Sequence, residues 1–206
     1  MRMILLGIQG CGKGTQADLL EKEFGWKHVN VGDLFRRHSE NNTLLGQKAR
    51  NYMEKGELVP DKLVFEVVLQ ELHNAKKGFI LDGFPRNLEQ MKFLLEKFTI
   101  DHVFLLDLDK NVAVKRISSR RHCQDCKLVY NLISRKPKKD GICDACGGKL
   151  VQRDDDVEEA VARRIEKFYQ ETGKVIDHFR EQGNLIIINA DDTLASIYSK
   201  IREYLS

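Results

Sequence analysis

Two clusters of residues in this 206-residue chain have the types and spacing to do chemistry. The first is Gly7-Ile8-Gln9-Gly10-Cys11-Gly12-Lys13-Gly14-Thr15. Its four glycines let the backbone curl so that successive N–H groups face an anion, with no Cβ in the way. Apolar Met3–Leu6 precedes it and Gln16–Lys22 follows, so the loop joins a strand to a helix. The positive N-terminal end of that helix faces the same spot, and Lys13 can reach the outer phosphates. Gly14 follows the lysine, and the hydroxyl comes one place later at Thr15. The second cluster is Cys123-x2-Cys126 and Cys143-x2-Cys146, with sixteen residues between the pairs. Two such knuckles suit a tetrahedral four-thiolate zinc site. Four protein thiolates leave no open position, so this metal reads as a structural staple. Cys11 lies far from it. His122 adjoins Cys123 and reads as a surface histidine, and the other five histidines carry no evident role.

Phosphoryl transfer needs positioning and positive charge more than covalent chemistry. Arginine suits it, because its planar fork holds two phosphate oxygens and stays charged. Candidates are Arg36, Arg86, Arg116, Arg120, Arg121, Arg153, Arg163 and Arg164. Singly, each reads as a solvated surface charge; placement in special turns or beside the cysteine segment raises some above that. Asp82, at a strand end, fits a magnesium-orienting carboxylate. Asp154-Asp155-Asp156 reads as a cap for the helix that follows.

The elements that must position these residues follow from hydrophobic patterning. Strands are expected at Met3–Leu6, Trp26–Asn30, Gly78–Asp82, Val103–Leu108 and Leu185–Asn189. Helices fall between them: one stopped by Gly25, one beginning near Gly32-Asp33, and one capped by Thr43 and closed by Gly56. Others open at Pro60-Asp61, run over Leu88–Lys97 and Asn111–Ser119, cover Val157–Gln182 as one long helix, and close the chain over Leu194–Leu205. Apolar strands alternating with helices predict an α/β fold with a parallel five-stranded sheet covered on both faces. Ligands of such sheets bind at the carboxyl ends of the strands.

Composition sets bounds. The chain is 42% hydrophobic and 32% charged, ordinary for a soluble protein. No apolar run approaches the ~20 residues of a membrane span, and the start does not read as a signal peptide. Five cysteines without an export signal point to a reducing, cytoplasmic setting. A formal charge of +3 argues weakly for nucleic acid, although residues 115–153 carry eleven Lys/Arg against three Asp.

Taken together, several segments resemble the adenylate kinases, in the bacterial-type form with a long, zinc-bearing lid. They are Gly7 to Gln16, Gly32-Asp33-Leu34-Phe35-Arg36, Gly56-Glu57-Leu58-Val59-Pro60-Asp61, Asp82 to Arg86 with Gln90, Arg120-Arg121, Arg153 to Asp156, and Arg163-Arg164. The resemblance spans essentially the whole chain in order. It implies a P-loop NTPase-like core of residues 1–29, 60–120 and 159–206, an AMP-binding insert of residues 30–59 and a lid of residues 121–158. The implied reaction is ATP + AMP ⇌ 2 ADP with magnesium, by a monomer with no nucleic-acid or membrane partner. Gly10, Cys11, Gly12, Lys13, Gly14 and Thr15 would form the ATP cradle, with Arg120, Val129 and Tyr130 as lid contacts. Val31, Arg36, Glu57, Leu58, Val59, Gly83, Phe84, Pro85, Arg86 and Gln90 would form the AMP pocket. Arg153 and Arg164 would close over both phosphate chains, and Asp155 and Asp156 would help hold the lid closed. Lys13, Arg86, Arg120, Arg153 and Arg164 would be the catalytic set, and Asp33 and Asp82 would orient magnesium. The Gln90 amide can also match adenine's paired donor and acceptor directly.

Two positions depart from the family pattern. Gln9 stands where proline is usual, and Val31 where threonine is usual. Val31 keeps open a kinase of CMP, UMP or GMP. The basic segment and the cysteine box keep open a zinc-ribbon module that binds nucleic acid.

Overall fold

The computed structural model describes residues 1–205, the side chain of Asp154 excepted. Five strands, β1 (Arg2–Leu6), β2 (Lys27–Asn30), β3 (Phe79–Asp82), β4 (His102–Asp107) and β8 (Leu185–Asn189), form one sheet in the order β2-β3-β1-β4-β8. Every pairing in it is parallel. Side chains of a strand alternate between faces, and the two cores follow that alternation. Ile4, Leu6, Leu81, Val103 and Leu105 join one buried cluster; Met3, Leu5, Ile80, Phe104 and Leu106 join the other.

Helices α2 (Val31–Glu40), α3 (Leu44–Glu54), α4 (Asp61–His73) and α5 (Leu88–Lys97) supply the first cluster. Helices α1 (Lys13–Phe24), α6 (Lys110–Ser118) and α9 (Leu194–Arg202) supply the second. Burying both faces explains why the strands read as nearly continuous apolar runs. The exceptions are the two edge strands: β2 buries only Val29, and in β8 Ile187 is 54% exposed.

The long helix expected over 157–182 is interrupted. It comprises α7 (Glu158–Lys167), a π-helical segment (Phe168–Thr172) and α8 (Gly173–Glu181). The reason is geometric. Val161 and Ile165 of α7 bury in the second cluster, Val175, Ile176 and Phe179 of α8 in the first, and Phe168 touches both. The wider π turn re-phases the helix where it passes from one face to the other. The N-cap of α7 is Val157, without a side-chain bond, so neither Asp155 nor Asp156 caps it as expected; the Asp154 side chain lies outside the described residues. Thr43 does cap α3, through Gly46 N–H. Gly46 also lets α2 and α3 meet, since a Cβ there would lie 2.2 Å from the His38 carbonyl.

A second, antiparallel sheet in the order β6-β5-β7 is built from β5 (Arg120–Cys123), β6 (Val129–Asn131) and β7 (Leu150–Val151). Its buried set is small: Cys123, Tyr130, Cys143 and Leu150.

Candidate active site

A cleft of about 1260 Å³ opens at the carboxyl ends of β1, β2 and β3 and extends between α2–α3 and the second sheet. At its floor is the glycine loop. Gly7 adopts φ +144°, and a Cβ there would lie 2.5 Å from the Leu106 carbonyl oxygen, so no side chain fits. Gly12, also left-handed, precedes α1 without any side-chain cap. The first free N–H groups of α1 are thus turned to the cleft, which suits an anion. Lys13 folds back, its Nζ donating to the Gly7 and Ile8 carbonyls at 2.7 and 3.1 Å. Cys11 sits differently from its neighbours. Its thiol is buried in the second core cluster, burial pushes its pKa up, and its N–H is spent on the Ile8 carbonyl.

Beside the loop, Asp82 is buried and its Oδ2 accepts from Asn30 Nδ2 at 2.6 Å, with His28 Nε2 at 3.5 Å. Burial works against its charge, but His28, Lys13 and Arg86 hold the carboxyl below its usual range. His28 Nδ1 lies 2.8 Å from Asp18. Burial alone would lower the His28 pKa; the hydrogen bonds to Asp18 and Asp82 outweigh it and raise it to about 10. The Asn30 side chain also caps α2 by accepting from Asp33 N–H. The helix therefore starts at Val31, one residue before the expected Gly32.

Above the floor the arginines converge. Arg36 pairs with Asp33 at 2.5 Å and reaches Asp155 at 3.4 Å. Arg153 reaches Asp33 at 3.3 Å. Arg120 grips Asp156 with two bonds, one of them Nε to Oδ2 at 2.8 Å. Arg164 donates to Asp155 at 3.1 Å and lies 3.5 Å from Asp156. Arg86 Nε holds the Gly83 carbonyl at 2.7 Å. Burial, then the neighbouring Arg164, lowers Arg86 to about 10; burial, then Arg36 and Arg120, lowers Arg153 to about 10. Asp33 and Asp155 pay for burial too, yet their arginine neighbours keep both carboxyls below the usual range.

On the α2–α3 side the cleft is lined by Val31, Glu57, Leu58, Val59, Gly83, Pro85 and Gln90. Phe84 is not among them. Its ring is fully buried in the first core cluster, so it anchors the turn and offers the cleft no side chain. Gln90 is buried, its Oε1 accepting from Arg86 N–H and its Nε2 donating to Asp61, both at 2.7 Å. One lone pair and one N–H of the amide remain for a base. Asn87 caps α5 through Gln90 N–H and donates to Asp61 as well. From the π segment, Thr172 Oγ1 donates to the Arg86 carbonyl at 3.0 Å.

On the side of the second sheet the cleft meets Arg120, Val129, Tyr130 and His122. Tyr130 is mostly turned away: its hydroxyl lies 3.5 Å from Cys143 Sγ and accepts from Asp144 N–H at 2.7 Å. The sulfurs of Cys123, Cys126, Cys143 and Cys146 form one cluster that could hold a metal ion. Cys123–Cys146 and Cys126–Cys143 Sγ separations are 3.4 and 3.5 Å, close to the ~3.8 Å edge of a tetrahedron with Zn–S bonds of about 2.3 Å. The Tyr130 hydroxyl beside Cys143 favours its thiolate, lowering it to about 6. His122, read from the sequence as a surface histidine, is half-buried and lines the cleft. Asp18, His28 and Asn30 also support this site, and no motif in a single sequence announces them; Asp61 does so from the end of the Gly56–Asp61 segment.

A doubly covered parallel sheet with a glycine loop between β1 and α1, facing a ring of arginines, defines a nucleotide phosphoryl-transfer protein of the P-loop class. The sequence model of the family described as "Adenylate kinase" matches residues 5–184. The chain is 41% identical over 212 aligned positions to the adenylate kinase of Caldicellulosiruptor bescii, covering 100% of this chain and 99% of the relative. It is 38% identical to the adenylate kinases of Bacillus subtilis and Carboxydothermus hydrogenoformans, covering 100% of this chain and 98% and 99% of them. The chain belongs to the adenylate kinase family, whose reaction is ATP + AMP ⇌ 2 ADP.

Proposed function

We propose that this cleft transfers the terminal phosphoryl group of Mg-ATP to AMP, reversibly, giving two ADP. An AMP phosphate oxygen attacks the γ-phosphorus, the bond to the β–γ bridging oxygen breaks, and the electron pair leaves on ADP. The observation that carries the reading is the convergence of Lys13, Arg36, Arg86, Arg120, Arg153 and Arg164 on one cleft. Burial first, and then neighbouring arginines, lower Arg86 and Arg153 to about 10, and a bound polyanion would offset the repulsion between the arginines. Because the cations are held before substrate arrives, little reorganisation is left for the transition state.

In this reading Gly10 to Thr15 cradle the ATP phosphates, with Lys13 on the transferred group and Arg120, Val129 and Tyr130 on the lid side. Tyr130 acts there through the backbone of β6. Val31, Arg36, the Glu57–Val59 segment, Gly83 to Arg86 and Gln90 hold AMP. Phe84 contributes only its backbone to that set. Arg153 and Arg164 span both phosphate chains. Magnesium, bound with ATP, neutralises charge on the β- and γ-oxygens, and Asp82 and Asp33 are the carboxylates that orient it. Zinc, bound by the four cysteines, staples the second sheet and takes no part in chemistry. The core comprises residues 1–29, 60–120 and 159–206, with residues 30–59 and 121–158 as the inserts that close to exclude water. The same reading makes the protein a cytoplasmic monomer without nucleic-acid or membrane partners. The basic segment's Arg120 and Arg153 support this, being committed to Asp156 and Asp33 within the cleft.

The test is ADP formation from Mg-ATP with AMP, CMP, UMP and GMP offered separately. AMP should be strongly preferred, and Lys13→Ala and Arg86→Ala should each lose about 10³-fold or more in turnover. Preference for another monophosphate would trace to Val31, which is buried at the cleft and offers no hydroxyl. Transfer to none of them would overturn the reading.

A further inference from the structure

We propose that His122 is a further substrate-binding residue of the lid, its imidazole donating a hydrogen bond to the phosphate chain of the bound nucleotides. The inference rests on the kinase reading above and assigns that site one more donor.

Four observations carry it. Alternation along β5 puts His122 on the same face as Arg120, and both line the cleft. Neither ring nitrogen has a hydrogen-bond partner among the described residues, and Nδ1 is buried as well as unpaired. Buried polar atoms in native proteins are almost always paired, so this nitrogen needs a partner that the protein itself does not supply. The metal cluster is not that partner, since it comprises Cys123, Cys126, Cys143 and Cys146 without His122. Finally, Arg36, Lys127 and Arg153 line the same cleft as His122. A cleft lined by several cations favours an anionic oxygen over a base edge or a ribose hydroxyl. A small turn of the ring would bring an imidazole N–H of this cleft-lining residue to that oxygen, adding to the coordination that the arginines begin. His28 Nε2 is also buried without a hydrogen bond, but it stands 3.5 Å from the Asp82 carboxylate as an ion pair, and His122 has no such carboxylate partner among the described residues.

The experiment uses the zinc-loaded enzyme and a bisubstrate analogue of two adenosines joined by five phosphates, with adenosine as the phosphate-free control. His122→Ala should weaken analogue binding about tenfold or more, and His122→Asn, which keeps an N–H near the Nδ1 position, should recover most of it. Zinc content and thermal midpoint should stay at wild-type values in both variants. The imidazole 15N resonances of His122 should move when the analogue is added and stay still with adenosine. Unchanged affinity in His122→Ala, or resonances that ignore the analogue, would overturn the inference. So would weakened binding that tracks zinc loss and is not recovered by His122→Asn. Wild-type protein that neither forms ADP with AMP nor binds the analogue would instead overturn the kinase reading itself.

Discussion

The five-stranded sheet and the three-stranded sheet are held together by different forces. The larger sheet buries apolar side chains on both faces, with Ile4, Leu5, Ile80, Leu81, Phe104 and Leu106 all at 0% exposure. The smaller one buries Cys123, Tyr130, Cys143 and Leu150, with Leu128 packed against them. Two of those four, Cys123 and Cys143, are metal-cluster cysteines, and the Tyr130 hydroxyl lies 3.5 Å from the sulfur of one of them, Cys143. Apolar burial stabilises in proportion to area, and this patch is too small to hold three short strands alone. The four cysteine sulfurs could hold a metal ion, and on the proposed reading that metal supplies what the patch lacks. In that reading the large sheet has a metal-independent core, while the smaller one is a unit that moves on a metal staple.

The largest expected effect is on the larger sheet. Phe104→Ala removes a fully buried ring and should cost about 3–5 kcal/mol, read as a lower midpoint in both thermal and denaturant unfolding. If it loosened only one face, the two clusters would be independent rather than one cooperative core. Next, Asp156→Ala strips the carboxylate from Arg120 and Arg164. Asp156 is wholly buried and Arg120 nearly so, and breaking such a pair typically costs about 3 kcal/mol. Unfolding midpoints should fall and KM for ATP should rise together; an effect on only one would separate the lid's stability from its function.

Removing the metal with a chelator should abolish most turnover yet leave the main unfolding transition nearly in place. A smaller change comes from His28. Its pKa rises from 6.5 to about 10 on folding, so its charged form stabilises the native state. That contribution is full below pH 6.5 and disappears as pH climbs through about 10. The stability gap between wild type and His28→Gln should therefore narrow steadily from pH 7 to pH 10, as read by urea midpoints. A constant gap would mean that His28 acts by packing alone.

Much of this was legible from residue order. The glycine loop and the paired cysteines announce themselves, because their chemistry fixes both residue type and spacing. The alternation of apolar strands and helices predicted the doubly covered parallel sheet. What stayed hidden depends on contacts between distant residues. Nothing local to Phe168–Thr172 marks a π turn; it arises because α7 and α8 bury on opposite faces of the sheet. Phe84 falls within a binding motif, but its ring was needed by the core. Asp155 and Asp156 read locally as helix-capping acids; only the family resemblance gave them a part in holding the lid, and they face Arg36, Arg120 and Arg164. His122 read as a surface histidine, and it is half-buried where it lines the cleft.

The most direct test is backbone hydrogen exchange on zinc-loaded and chelated protein, compared residue by residue. Chelation should strip protection from β5, β6, β7 and the cysteine knuckles, while amides of β1, β3 and β4 keep protection near the global limit. Protection retained throughout residues 120–151 without metal would contradict the staple, and protection lost across the whole larger sheet would contradict its independence.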